Sequence, residues 1–284
     1  SFPMQGVTYN YECANQALQG LVGQFQNGPV LMGTFPGADG GPHAPPGPLN
    51  YTPTPTGPCD KVANVIHIEK AMDRFGITNM YTRIAILSVI KKESQLCPKS
   101  EKMRYGAGRL AEVWSRFSST GRTVPKGQGK KYANDLAREY AGDDRKLANL
   151  VYAGKYGNRK GTNDGYDYRG RGFNQITFRG SYKKYAKLIG VDIVANPDLL
   201  NDPAIAAQAA VAFIQNRFKS MPTAKKGSNP NFSNQIEANL WTARANAGWG
   251  KGMGSSAVKR AIKHTNASSK YFQAQADGKI ILTS

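Results

Sequence analysis

The stretch TRIAILSVIKKESQLCP, Thr82–Pro98, combines a helical pattern of apolar residues with a carboxylate, Glu93. On a helix, Ile86, Val89 and Ile90 share one face. Glu93 continues this apolar stripe by one turn, where an ionised carboxylate is costly. A carboxyl group buried there would keep its proton at neutral pH, which is what a general acid requires. The alternative from spacing alone is that Glu93 pairs with an arginine at the end of a core helix.

A second carboxylate, Glu101, follows shortly after Pro98. In an unbroken helix, Glu93 and Glu101 would lie about 12 Å apart along the axis and about 80° apart around it. Proline normally ends a helix by the preceding residue, so the chain can turn and bring Glu101 back across a cleft. A separation of about 6.5–9.5 Å suits an inverting glycosidase, and one of about 5 Å a retaining enzyme. The sequence leaves this separation open.

Two further segments carry polar side chains in small-residue turns. In GYDYRGRGFNQITF, Gly165–Phe178, the alternating glycines let a ligand approach the backbone, and Gln175 and Thr177 suit sugar hydroxyls or a positioned water. Its glycine spacing is not that of a dinucleotide-binding fingerprint. In ANAGWG, Ala245–Gly250, Asn246 lies where a helix ends, a place that by itself indicates only a helix cap.

From residue 61 onward the pattern is almost entirely helical, which predicts a mainly α fold with little β structure. Asp202 before Pro203 is typical of an N-cap followed by proline at the first helical position. The only strand signal lies around Phe173–Phe178. The predicted helices are Val62–Phe75, Thr82–Leu96, Gly108–Phe117, Lys131–Tyr140, Arg145–Tyr152, Gly180–Ile189, Pro203–Phe218, Ser233–Ala245 and Ser255–His264.

The N-terminal part differs in composition. Nine of the 16 prolines and seven glycines fall within residues 28–58, which excludes a helix and predicts an extended linker. Before it, Asn15–Phe25 is a short amphipathic helix candidate that cannot form a core alone. We therefore divide the chain into a leader (1–27), which is either disordered or a docking segment, a linker (28–60) and a helical domain (61–284).

Charge follows the same division. Residues 1–60 contain three acidic residues and no lysine or arginine, whereas all 38 basic residues and 16 of the 19 acidic ones lie in residues 61–284, a balance of +22. A domain with this much positive charge indicates a polyanionic partner, which could be nucleic acid, anionic lipid or a bacterial wall polymer. No helix-turn-helix or basic, aromatic-interleaved sheet favours nucleic acid.

Other classes are disfavoured. No apolar run approaches the roughly 18 residues of a membrane span, and no secretory signal is visible. The three histidines (His43, His67 and His264) form no paired metal-ligand motif, so we expect neither a metal nor a cofactor.

The three cysteines, Cys13, Cys59 and Cys97, are too few and too scattered for a disulfide scaffold or a zinc cluster. We expect Cys97, four residues after Glu93, to be a buried thiol and not a nucleophile. A bond between Cys13 and Cys59 stays open as an alternative.

Taken in order, these segments resemble the family 19 glycoside hydrolases, in particular their phage endolysin and lysozyme-like branch. The resembling blocks run from about residue 61 to 265 and are MDRFGITNMYTRIAILSVIKKES, EKMRYGAGRLAEVWSRF, LANLVYAGKYGN with DGYDYRGRGFNQITFRGSY, NPDLLNDPAIAAQAAVAFI and TARANAG. The resemblance implies a two-lobed, lysozyme-like helical domain whose cleft is lined by the two carboxylates.

The resemblance also implies a role for each residue. Glu93 would be the general acid and Glu101 the general base. The residues that would orient water and sugar or support the site are Gln175, Thr177, Asn246, Tyr105 and Arg171. Three positions depart from the family pattern: Lys92 replaces a histidine, Ser181 an asparagine and Ala247 a glycine.

The implied function is hydrolysis of the peptidoglycan glycan strand by an inverting muramidase-type lysozyme. The short interval between the two carboxylates and the positive charge favour peptidoglycan over neutral chitin. Two alternatives remain: a chitinase, and a structural virion component with a vestigial hydrolase fold. We expect a phage-encoded protein without a signal peptide, in the host cytoplasm before release or docked on a phage tail or other virion protein through residues 1–58.

Overall fold

The computed structural model describes residues 57–221, 227, 229–248 and 254–283. The leader helix predicted at Asn15–Phe25 and nearly all of the Pro/Gly-rich linker lie outside these residues. The described part is mainly helical, as predicted. It forms two compact units. The first unit contains the described residues up to Lys99, residues 172–174 and the described residues from Lys184 on; the second contains Ser100–Arg171 and Gln175–Lys183.

The described elements, in chain order, are α1 (Lys61–Arg74), α2 (Met80–Ser94), α3 (Ala107–Val113), a 3-10 turn (Ser115–Phe117), α4 (Gly129–Tyr132), α5 (Asp135–Tyr140), α6 (Asp144–Tyr152), α7 (Asp164–Asp167), α8 (Arg179–Ile189), a 3-10 turn (Pro197–Asn201), α9 (Pro203–Phe218), α10 (Gln235–Ala247), α11 (Ser256–Ser269), β1 (Phe272–Ala274) and β2 (Ile280–Leu282).

Helix α2 is the centre of the first unit. It packs against α10 and α11, and Ile86, Leu87 and Ile90 are fully buried on it. Helix α9 packs against α1, and a run of buried alanines on α9 allows the two helices to approach closely. The predicted cap of α9 is confirmed, since the Asp202 carboxylate accepts hydrogen bonds from the first amides of the helix.

Helix α2 ends at Ser94, well before Pro98, because the next two residues turn the chain. Gln95 and Leu96 both adopt left-handed backbone conformations, with φ of 56° and 62°. Asn64 Nδ2 donates to the Leu96 carbonyl at 2.8 Å. These contacts, with the disulfide described next, fix where the chain leaves the helix toward Glu101.

Cys59 and Cys97 form a disulfide with a Cα–Cα distance of 5.7 Å. The prediction that Cys97 is a buried free thiol is therefore wrong, and so is the Cys13–Cys59 alternative. The bond ties Cys59, two residues before α1, to the loop after α2. Spacing alone could not identify it, because the pairing depends on how α1 and α2 pack.

The second unit has its own core of short helices, formed around Leu110, Phe117 and Leu147, which are fully buried. The single helix predicted at Lys131–Tyr140 is two helices, α4 and α5. Asn134 separates them, because its side chain accepts from the Ala137 amide and so caps α5.

The predicted strand at Phe173–Phe178 is wrong. That segment makes one isolated bridge, between Arg171 and Ile176. The two described strands, β1 and β2, instead form an antiparallel hairpin in the first unit, with Phe272 opposite Leu282. Three residues per strand are too few to show a clear alternating pattern in the sequence.

Candidate active site

Glu93 lies in the last turn of α2, and its side chain is 29% exposed. The prediction that this carboxyl is buried is therefore wrong, because the fully buried part of the stripe ends at Ile90. Its partner is Lys92, not an arginine: Lys92 Nζ donates to Glu93 Oε1 at 2.7 Å. Lys92, at one of the positions that depart from the family pattern, thus touches the carboxylate directly.

Asn246, in the last turn of α10, binds the same oxygen. Its Nδ2 donates to Glu93 Oε1 at 2.9 Å. Asn174 Nδ2 in turn donates to Asn246 Oδ1 at 3.4 Å. The hydrogen bonds that Glu93 accepts from Lys92 and Asn246 thus both reach Oε1. Asn174 Oδ1 is buried and accepts no hydrogen bond from the described residues.

Glu101 lies in the second unit, on a segment without regular secondary structure that is held by the glycine-rich loop. Its amide donates to the Gly170 carbonyl at 2.7 Å, and its own carbonyl accepts from Arg169 Nε at 3.3 Å. The Tyr152 hydroxyl lies 3.0 Å from Oε1 and 3.2 Å from Oε2. The Gly170 amide donates to Oε2 at 3.2 Å. Backbone and side chain are therefore both fixed.

Gly170 brings Gln175 next to Glu101. A Cβ at Gly170 would lie 2.9 Å from Gln175 Oε1 and 3.3 Å from Glu101 Oε2, so both side chains face this glycine. Gln175 has a left-handed backbone with φ of 52°. Thr177 Oγ1 donates to the Gln175 carbonyl at 2.9 Å and so closes the turn that presents the Gln175 amide.

Tyr152, which binds the Glu101 carboxylate, is one of the residues that the sequence did not single out. Burial raises the pKa of Tyr152, and the negative charge of Glu101 and the nearby Tyr105 raise it further. The hydroxyl consequently remains protonated, and able to donate, across the working range of pH. Tyr105, predicted to support the site, is half-buried and packs edge-on against Trp114 with ring centroids 5.5 Å apart.

Arg171 supports the glycine-rich loop from inside. It is 3% exposed, and its guanidinium donates to the Asp167 carbonyl and, at 3.1 Å, to the Tyr182 hydroxyl. The Tyr182 hydroxyl donates to the Arg169 carbonyl at 2.8 Å. Arg171 therefore fixes the backbone that leads into Gly170, directly at Asp167 and through Tyr182 at Arg169, without reaching the surface.

The predicted residues thus fall into two sets. Glu93 and Asn246 touch one another in the first unit, and Glu101 and Gln175 lie together in the second. Within the described ranges, no group of three or more histidine, cysteine or acidic side chains is placed to hold a metal ion. Similarly, none of the described helices is both long and apolar enough to cross a membrane.

Comparison with known proteins places this arrangement in a family. The model of glycoside hydrolase family 19, described as chitinase class I, matches residues 78–250, which is more than half of the chain. The chain belongs to glycoside hydrolase family 19. The match includes both carboxylates as well as Gln175, Thr177 and Asn246.

The proteins that are similar to this family 19 chain include one from Haemophilus influenzae and one of known structure. A "Glycosyl hydrolase family 19 domain-containing protein" of Haemophilus influenzae is 39% identical over 67 residues, which cover 22% of this chain and 34% of that protein. The match thus spans only about a third of that relative. The crystal structure of a bacterial family 19 chitinase aligns over 73% of this chain and 84% of its own, with 15% identity and a TM-score of 0.36.

Two positions that depart from the family pattern lie in regular structure. Ser181 is in the first turn of α8, and Ala247 is the last residue of α10, directly before Gly248 at φ of 92°. The contacts that sequence reasoning missed are those of Tyr152, Asn174 and the Gly170 amide. Tyr152 and Asn174 lie in the same sequence blocks as the predicted residues, but nothing in their spacing indicates that they contribute to the hydrogen bonding of a carboxylate.

Proposed function

We propose that this family 19 protein hydrolyses the glycan strand of bacterial peptidoglycan, as an N-acetylmuramidase-type lysozyme. The observation that supports this most is that the family-matched segment carries two carboxylates, each held by a side chain distant in sequence. Asn246 binds Glu93, and Tyr152 binds Glu101. Most glycosidases use a pair of carboxyl groups as their catalytic residues.

In the proposed reaction, Glu93 is the general acid. A proton on its Oε2 passes to the glycosidic oxygen as the bond between that oxygen and the anomeric carbon breaks. Glu101 is the general base and takes a proton from the water whose oxygen attacks the anomeric carbon. One water is consumed, one reducing end forms, and solvent returns the proton from Glu101 to Glu93. We expect inversion of the anomeric configuration.

The remaining residues take roles that follow from their contacts. Gln175, facing Gly170 beside the Glu101 carboxylate, would orient the attacking water. Thr177 holds the turn that presents it. Asn246 would hold substrate next to Glu93, and Lys92 would set the charge beside the acid.

Charge supports peptidoglycan as the substrate. All 38 lysines and arginines follow Asp60, and the wall carries anionic polymers that such a domain would concentrate on. This attraction should weaken as salt rises. Chitin is neutral, so the positive charge of the domain would not increase binding to it.

Chitin hydrolysis is the second candidate, because the matching family model is described as chitinase class I. Both substrates contain β-1,4-linked N-acetylated sugars, so the same acid and base would serve. A virion component with a vestigial fold is the third, and it predicts no cleavage of either polymer.

The test compares purified peptidoglycan and colloidal chitin as substrates for the intact protein. We expect loss of turbidity with peptidoglycan, faster at low salt, and a loss of rate of at least about a hundredfold for Glu93→Gln and for Glu101→Gln. Glu139→Gln is the matched control, since Glu139 forms an exposed ion pair with Lys146. A fully lytic Glu93→Gln variant would refute the mechanism, and cleavage of chitin alone would refute the substrate.

We also propose that the protein is phage-encoded and that residues 1–58 dock it on a tail or another virion protein, so that the hydrolase reaches the wall with the particle. The support for this proposal is the composition of the segment, which is rich in proline and glycine, contains no lysine or arginine and is typical of an extended tether. Deleting residues 1–58 should abolish association with particles. If association were unchanged, the docking proposal would fail while the hydrolase proposal would stand.

A further inference from the structure

Tyr156 is an aromatic residue that the reaction above does not use and that faces solvent. It is 76% exposed. Its ring lies against Phe178, with centroids 4.8 Å apart and planes tilted by 52°. A large ring so exposed has a face available to a ligand, and we call the pair of Tyr156 and Phe178 the aromatic platform.

The backbone holds this platform in a costly conformation. Tyr156 and Phe178 both have left-handed φ values, 44° and 74°. For residues other than glycine such conformations cost on the order of 1–3 kcal/mol each and persist only where the surroundings impose them. The platform is therefore built by the fold and is not a chance exposure.

Gly180 is one of those surroundings. Its amide donates to the Tyr156 carbonyl at 3.0 Å. A Cβ at Gly180 would lie 2.7 Å from that carbonyl oxygen, so only glycine permits this approach. The loop that carries Tyr156 is thereby fastened to the turn that carries Phe178, and the two rings stay together.

The platform is continuous with the Glu101 site within the same unit. Phe178 packs edge-on against Tyr152, with ring centroids 5.2 Å apart. The Tyr152 hydroxyl donates to the Glu101 carboxylate at 3.0 Å. Thr177, which closes the Gln175 turn, directly precedes Phe178. Contacts thus lead from the exposed ring of Tyr156 to the proposed general base.

We propose that the aromatic platform is a sugar-binding subsite, which stacks one N-acetylated pyranose ring of the glycan adjoining the sugar at Glu101. The C–H face of a β-1,4-linked pyranose is apolar, and it packs on the electron-rich face of an aromatic ring. The apolar methyl of the N-acetyl group adds to the buried area. The subsite rests on the proposed function, because it takes the same glycan strand as its ligand.

The test is the Tyr156→Ala variant, with chitotetraose and peptide-free glycan strands from peptidoglycan as separate probes. We expect KM for the preferred glycan, and Kd for the same glycan in the Glu101→Gln background, to rise about tenfold in Tyr156→Ala, while kcat changes less. Tyr156→Phe and Tyr156→Trp should keep most of the affinity, because they keep a ring. Tyr271→Ala is the matched control, since Tyr271 is an exposed tyrosine in the other unit.

The outcomes separate the two proposals. Unchanged Kd and KM in Tyr156→Ala would overturn the subsite even if the enzyme is active. A Tyr156→Phe variant as weak as Tyr156→Ala would also overturn it, because the hydroxyl and not the ring would then matter. If the wild-type protein cleaved neither glycan but bound one of them through Tyr156, the hydrolase would fail while the subsite stood. The probe whose Kd rises in Tyr156→Ala, chitotetraose or the peptidoglycan strand, identifies the glycan that the subsite binds.

Discussion

Replacing Tyr152 with phenylalanine removes one oxygen atom beside Glu101 and leaves the ring in place. The hydroxyl is 3.0 Å from one carboxylate oxygen and 3.2 Å from the other, and the remaining amide donor is that of Gly170. A hydrogen bond to a charged group contributes about 1.5–3 kcal/mol. Because Gly170 still donates, we take about 2 kcal/mol, which corresponds to a loss of about 30-fold in kcat.

The assay is steady-state release of reducing ends from soluble peptidoglycan strands, with kcat and KM determined separately. KM should change little, since Tyr152 orients the general base and does not bind the sugar. Thermal unfolding should also change little, because the edge-on contact with Phe178 at 5.2 Å remains. The raised pKa of Tyr152 keeps its hydroxyl protonated, so the wild type and the variant should have the same alkaline limb below about pH 10.

Tyr140→Phe is the control, because it removes a hydroxyl in the same unit from a ring that packs on Phe117. The reasoning about Tyr152 would be refuted if Tyr152→Phe kept kcat within twofold of the wild type. A lower Tm with a proportional loss of activity would refute it too, since the effect would then be structural.

Three further predictions concern the fold and the loop. Replacing Cys59 and Cys97 with serine opens a loop of 38 residues, which should cost about 4 kcal/mol of unfolding free energy and lower Tm by about 10 °C; an unchanged Tm would contradict this. Burial, and then the charge of Lys70, lower the pKa of His67 to about 4, whereas the pKa of His67 in the unfolded chain is near 6.5. Because only the unfolded chain takes up this proton between these two values, the contribution of neutral His67 to the free energy of unfolding is fully present above pH 6.5 and is lost as the pH falls toward 4. Urea unfolding should show that the free energy of unfolding of the wild type falls by about 2 kcal/mol more between pH 7 and pH 4.5 than that of His67→Gln. An equal fall in both proteins would count against this role of His67. Gly170→Ala should fold but lose at least about tenfold in kcat, because its methyl would meet Gln175 Oε1 at 2.9 Å and displace the Glu101 carboxylate; circular dichroism checks the fold, and wild-type kcat would contradict the prediction.

The helices were predictable wherever local signals agree with packing. Helix α9 runs over Pro203–Phe218 as predicted, because the Asp202 cap and the following proline fix its start. The predicted end of α2, Leu96, lies two residues beyond the observed end at Ser94. Two left-handed residues and a disulfide to Cys59 end that helix, and neither follows from local propensity.

The sequence singles out candidate site residues but does not indicate their contacts. The apolar stripe predicts burial at Glu93, yet burial does not extend to its side chain, because the Glu93 carboxylate contacts the polar side chains of Lys92 and Asn246 and not a sealed core. Tyr152 lies 51 residues from the carboxylate that it binds. Such a contact is set by tertiary packing, which no spacing rule for a single helix can express.

Mass analysis of the fragments from purified peptidoglycan digested in H2(18)O tests the proposed hydrolysis, because it identifies both the bond that is cleaved and the source of the oxygen. We expect disaccharide-peptide fragments that end in reducing N-acetylmuramic acid, each with one heavy oxygen at the new reducing end, and none with the Glu93→Gln or Glu101→Gln variants. Intact glycan strands after exposure to the wild-type protein, or the same fragments from either variant, would contradict it.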